Sequence, residues 1–152
     1  MINRILLLIM LLLPFSIQAN CFVEAGQKFN IAPILLTSIA IHESGMNSDL
    51  IHYNSNGSRD LGLMGLNTIH LKKNGYLTKL NITEDQLLSN SCLNIMAGAY
   101  HLAKKIEKYG NVWRAVGAYH SENIALGDIY IRNIQDKMAR ITAILNKNKQ
   151  VY

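Results

Sequence analysis

Of the 152 residues in this chain, Glu43 is the one whose surroundings favour proton transfer to a substrate. It stands at the C-terminal end of a segment, Ile34 to Ser44, that is apolar nearly all round. Leu36, Ala40 and Glu43 share one helical stripe by i, i+4, i+7 spacing. A carboxyl group placed there is partly desolvated and faces the negative end of the helix dipole, and both effects raise its pKa. That is the property of a general acid working near neutral pH. Position alone also permits a glutamate that turns to solvent in the last turn. Asp60, 17 residues further on, closes a turn-rich stretch and is the second candidate. If both carboxylates flank a scissile bond, Asp60 stabilises developing positive charge or acts as the nucleophile. A helix N-cap at Leu61 and an ion pair near Arg59 are its structural alternatives.

Other chemistries lack their residues. His42-Glu43 is not the start of an HExxH zinc motif, because position 46 is Met46. The five histidines stand at least ten residues apart, so the sequence offers no local metal cluster and no cofactor is expected. A GxSxG nucleophile elbow and a phosphate-binding glycine loop are both missing.

The elements that must position these carboxylates read mostly as helix. Phe22 to Phe29 forms a short opening helix, and Pro33 suits the first position of the next, which stops at Gly45. Being apolar on nearly every side, that helix belongs in the interior. Residues 46–60, centred on Asn54-Ser55-Asn56-Gly57-Ser58, predict a small hairpin or a long loop. A short apolar helix is expected around Leu61 to Leu71. Thr83-Glu84-Asp85-Gln86 is a capping box that opens another brief helix. Ile95, Met96, Ala99, Leu102, Ala103, Ile106 and Tyr109 keep three/four spacing up to Gly110. Asn111 caps a short turn carrying Trp113 and Val116. The last helix opens near Asp128 and follows Ile131, Ile134, Met138, Ile141 and Leu145. Alternation at period two is nowhere sustained, so the class is mainly α.

Hydrophobic residues make up 49% and charged ones 16%, which excludes a disordered or coiled-coil chain. The apolar excess is concentrated at the start. Met1 to Arg4 is positive, Ile5 to Phe15 is an apolar run broken only by Pro14, and Ser16 to Ala19 ends on a small residue. This is the layout of a signal peptide, with cleavage expected after Ala19 and delivery to the periplasm. The run is shorter than the roughly 20 residues a bilayer span requires, so no stable membrane span is expected after cleavage. A retained anchor or a core helix is the alternative. Residues 20–145 then form one domain, and 146–152 a polar tail. In an oxidising compartment Cys21 and Cys92 are expected to pair. The formal charge of +5 suits an acidic polymer or phospholipid headgroups. The lysines are scattered, so no nucleic-acid partner is expected.

Three short motifs occur in order: Ile41-His42-Glu43-Ser44-Gly45, then Asp60-Leu61-Gly62-Leu63-Met64, then Ala118-Tyr119-His120. This order resembles the soluble lytic transglycosylase family, whose lysozyme-like domain carries Glu-Ser, Gly-Leu-Met-Gln and Ala-Tyr-Asn stretches. The resemblance spans about residues 21–142. The small size and the Cys21/Cys92 pair look most like the specialised members that accompany type III secretion, conjugation and type IV pilus systems. It implies a lysozyme-like α+β fold, peptidoglycan as substrate and a secretion, conjugation or pilus apparatus as partner. By the same resemblance Glu43 is the acid and base that cleaves between N-acetylmuramic acid and N-acetylglucosamine, closing a 1,6-anhydro ring. Ser44 orients Glu43 or the sugar, Met64 lines the groove, and Tyr119 sits by the carboxylate.

Two positions depart from the family pattern. Gly65 stands where the family has Gln, and His120 where it has Asn after Ala-Tyr, so two polar groove contacts are lost or remade. Two competitors to the transglycosylase stand: a hydrolase of the same bond using Asp60, and a non-catalytic peptidoglycan-binding scaffold, which these two departures favour.

Overall fold

The structure is a computed structural model that describes residues 20–149, so the expected leader and its cleavage site lie outside the described residues. Helix α1 (20–29) leads into α2 (Pro33–Ser44), opened by Pro33 and closed by a left-handed Gly45. Leu35, Leu36, Ser38, Ile39 and Ala40 of α2 are all buried. The one polar member, Ser38, spends its hydroxyl on the Ile34 carbonyl at 2.7 Å, so nothing in this stretch resists burial.

Three short strands follow: β1 (Ile51–Tyr53), β2 (Arg59–Leu61) and β3 (Leu66–Asn67). They form an antiparallel sheet in chain order, with Asp60 on the middle strand between His52 and Asn67. The hairpin expected in 46–60 is therefore present. The helix expected over Leu61 to Leu71 is not. That stretch ends β2, turns through residues 62–65, forms β3, and closes as a 3-10 turn (Thr68–Leu71). Its apolar residues mislead because Leu61, Leu63, Met64 and Leu66 are buried by threading the turn through the core, not by lying on one helix face. The side chain of Asn94 supplies the hydrogen bonds that a helix would have made. It donates to the Leu61 and Leu87 carbonyls at 3.0 and 3.1 Å and accepts from the Met64 N–H at 2.8 Å.

The remainder is helical: α3 (Tyr76–Lys79), α4 (Glu84–Ser89), α5 (Ser91–Tyr109), α6 (Val112–His120) and α7 (Ile124–Lys149). The capping box at Thr83 and Gln86 forms as read, and Asn90 and Asn111 cap α5 and α6 through their side chains. Two extents differ from expectation. α6 is a nine-residue helix instead of a turn, and α7 starts at Ile124, ahead of Asp128. Both follow from packing, since α6 lies against α5 and α7, and α7 also packs on α2. Ile95, Ala99, Leu102, Val116, Tyr130 and Ile134 are among the residues that fill the space between them. Cys21 and Cys92 form a disulfide that ties α1 to the first turn of α5, with Cα atoms 5.3 Å apart. Among the described residues no helix is long and apolar enough to cross a membrane.

Candidate active site

A groove of about 670 Å3 opens where the end of α2, the sheet and the end of α6 meet, and Glu43, Asp60, Gly65, His70, Tyr119 and His120 line it. Glu43 enters from the last turn of α2. Its carboxylate Oε1 accepts the Tyr130 hydroxyl of α7 at 2.5 Å. Burial is the main reason its pKa rises, to about 7. The Tyr130 hydrogen bond opposes the shift, and the negative charge of Asp60 adds to it. The group is thus poised to hold a proton at neutral pH and to release it to a neighbouring oxygen.

Asp60 is held differently. Asn54 donates to Oδ2 at 2.9 Å and Asn67 to Oδ1 at 2.6 Å, so amides from both sides of the hairpin fix each oxygen. The two acids therefore sit in contrasting settings on one groove: one half-buried beside a hydroxyl, the other clasped by polar donors.

Gly65 explains how the turn can lie so close to Glu43. Its φ is +58°, and a Cβ there would stand 2.6 Å from Glu43 Oε2. Only glycine accepts both that backbone and that contact. The residue standing where Gln was expected is thus part of the packing around the carboxylate.

The other expected site residues stand as follows. Ser44 donates to the carbonyls of Ala40 and Leu63 at 3.1 and 3.0 Å, latching the end of α2 to the 62–65 turn. Met64 is fully buried, and its side chain packs against Gly98 in the core while its carbonyl faces Tyr119. Tyr119 donates to that carbonyl at 2.7 Å, and burial raises its hydroxyl pKa well above the ordinary value, so it stays protonated. His120 is exposed at the groove edge, its ring stacked on Tyr130 at 4.9 Å. His42 meets the same tyrosine edge-on at 4.9 Å.

Four residues of consequence escaped the sequence reading: Tyr130, Asn94, Asn54 and Asn67. Tyr130 had a signal, because it precedes Ile134 by four residues and so places a hydroxyl on the buried stripe of α7, where it needs a partner. On the far wall the rings of His70 and His101 meet at a tilt 4.6 Å apart, with Tyr76 stacked on His101 and tilted against His70. Burial lowers their pKa values to about 4 and about 3, so this wall offers neutral imidazoles. Among the described residues no group of three or more His, Cys, Asp or Glu side chains is placed to hold a metal ion.

Residues 20–139 match the family described as Transglycosylase SLT domain. The chain belongs to that family. Its mainly helical fold with a small three-stranded sheet is the lysozyme-like fold of this domain. Among relatives, it is 43% identical over 103 residues to Invasion protein IagB of Salmonella typhimurium, covering 68% of this chain. That match spans 62% of the relative's own length. It is 35% identical over 119 residues to Protein IpgF of Shigella flexneri, covering 78% of this chain and 76% of the relative. A Peptidoglycan-binding-like protein of Escherichia coli O157:H7 is 38% identical over 112 residues, 68% of this chain and 65% of the relative.

Proposed function

We propose that this chain is a peptidoglycan lytic transglycosylase, with Glu43 as its acid and base. The observation that carries the proposal is the half-buried Glu43 carboxyl, its pKa near 7, on the wall of a groove built by an SLT domain. Protonated Glu43 gives its proton to the glycosidic oxygen between N-acetylmuramic acid and N-acetylglucosamine, and the C1–O bond breaks. The muramoyl 6-hydroxyl then attacks C1 and returns a proton to the Glu43 carboxylate. The ring closes as a 1,6-anhydro sugar, and no water is consumed. The nucleophile belongs to the same sugar, which gives it a high effective concentration. Tyr130 is the positioning residue: its hydroxyl holds one carboxylate oxygen and leaves the other toward Gly65.

Asp60 supports a second reading, hydrolysis, because it lines the same groove and is fixed at both oxygens. In that case water, activated or following a covalent step on Asp60, replaces the 6-hydroxyl. Glu43→Gln is expected to lower cleavage of purified peptidoglycan at least about a hundredfold. Full activity in that variant would remove Glu43 from the mechanism. Mass spectrometry of the released muropeptides separates the two reactions, since an anhydro product is one water lighter than a reducing one.

The charge-apolar-small pattern of residues 1–19 supports export to the periplasm, with residues 20–145 as the working domain and 146–152 as its tail. The disulfide fits an oxidising compartment. Likeness to a protein named for invasion supports local opening of the cell wall for a secretion apparatus.

A further inference from the structure

Beside the main groove lies a second concavity of about 530 Å3. The two share Ile69 and His70 in their walls, so they adjoin. Past those residues the wall carries Lys72, Lys73, Asn74 and Tyr76. Its chemistry differs from that of the groove. The groove holds the carboxylates Glu43, Asp60 and Glu122 and only one lysine, Lys105, which is bound to Glu122 at 2.9 Å. The side branch holds two lysines and no acid. Among the described residues neither lysine has a carboxylate partner.

The loop that carries these lysines is fixed. The Lys72 carbonyl accepts from the Gly75 N–H at 2.7 Å and from the Thr78 hydroxyl at 3.0 Å. Gly75 folds so tightly onto the chain that a Cβ there would lie 2.0 Å from the His70 carbonyl oxygen. Two unneutralised cations are thus held next to the groove on a short, braced turn. Their backbone does not have to be ordered when a ligand arrives, which favours binding. His70, neutral through burial, stands at the junction and adds no competing charge.

We infer that this branch is a binding site for the carboxylates of the peptide stems that hang from the glycan strand. The inference rests on the groove accepting glycan, as proposed above. A strand lying in the groove must send its side chains out through an opening. The edge of the groove at Ile69 and His70 borders positive charge, while the groove itself is lined by acids. The site therefore distinguishes stem-bearing strands from bare ones. The lysines bind the stem and take no part in proton transfer.

The test measures binding of soluble glycan strands to the Glu43→Gln protein by calorimetry, so that turnover does not interfere. Three ligands are compared: strands with free stem carboxylates, strands with those carboxylates amidated, and strands stripped of stems by an amidase. Free carboxylates are expected to bind about fivefold more tightly than either other ligand, the scale of two exposed ion pairs. Adding Lys72→Ala and Lys73→Ala should bring that ratio close to one, whereas Lys72→Arg and Lys73→Arg should keep it. Equal binding of all three strands, or a ratio that survives the double alanine change, overturns the site. Stem-dependent binding by a wild-type protein that cleaves no strand would uphold the site and remove the catalytic reading. Cleavage without stem preference would do the reverse, and no binding to any strand would remove both.

Discussion

Glu43 and Tyr130 are 87 residues apart in sequence and share one short hydrogen bond, so the acidity of the site is a tertiary property. The sequence placed Glu43 at the end of a buried helix and pointed to a raised pKa from desolvation. It gave no sign of the two neighbours that tune it. Tyr130 stabilises the carboxylate and lowers the pKa, while Asp60 repels it and raises the pKa. The two substitutions therefore move the pH profile in opposite directions. A general acid loses activity as pH rises through its pKa, here about 7. In Tyr130→Phe the alkaline limb of kcat/KM should shift to higher pH, and in Asp60→Asn to lower pH. Shifts of the same sign, measured on one glycan substrate across about pH 5 to 9, would contradict these opposing roles of Tyr130 and Asp60. The size of the Asp60→Asn loss also matters. A fall comparable with that of Glu43→Gln places Asp60 in the reaction, and a mild fall leaves it as a source of field.

At the scale of elements, the 62–65 turn decides the site and was the least legible part of the chain. Its apolar run suggests a short helix, yet it is two strand ends joined by a turn. What separates the alternatives is Asn94, about 30 residues away, whose side chain satisfies the backbone of the turn and so lets it remain unhelical. Asn94→Ala should destabilise the protein by about 3 kcal/mol, since it strands two carbonyls and one N–H in the interior. Urea unfolding of the variant measures this, and a change under about 0.5 kcal/mol, the scale of an unremarkable surface change, would show that water replaces the amide. Gly65→Ala tests the other end of the turn. The added Cβ meets the Glu43 carboxylate, and the left-handed backbone costs a further ~1 kcal/mol. Activity is expected to fall more than tenfold in kcat, with the circular dichroism spectrum unchanged. Retained kcat would mean that Glu43 moves aside freely. By contrast the helices with sequence-local determinants were legible: Pro33 opens α2, Gly45 ends it, and the Thr83 capping box forms as written.

For the whole molecule, the disulfide is the one covalent constraint between distant parts among the described residues. Cys21 and Cys92 are 71 positions apart, and their bond fixes α1 against α5. Removing a loop constraint of that length costs roughly 4 kcal/mol in a chain-entropy treatment. The Cys21→Ser, Cys92→Ser protein should therefore melt at a clearly lower temperature than the oxidised wild type. Reduction of the wild type should lower its melting temperature to a similar degree. Unchanged melting on reduction would show that packing of α1 suffices without the bond. The site lies on elements well separated in sequence, the end of α2, β2, the 62–65 turn and α6 with α7, so loosening the body should also loosen the groove.

By itself the sequence determined what depends on neighbours along the chain. Helical periodicity, caps and turn residues are local, and so are the three motifs that resemble the family. The interior placement of α2 was legible for the same reason, because a helix apolar on nearly all sides must lie inside, but position along the chain left open whether Glu43 turns inward or to solvent. The tertiary structure alone decided which groups meet Glu43, how Asp60 is held, and where Ser44 and Met64 direct their atoms. These contacts join residues tens of positions apart, through hydrogen bonds that replace lost water. Their partners are fixed only once the core has packed, and no spacing along the chain records them.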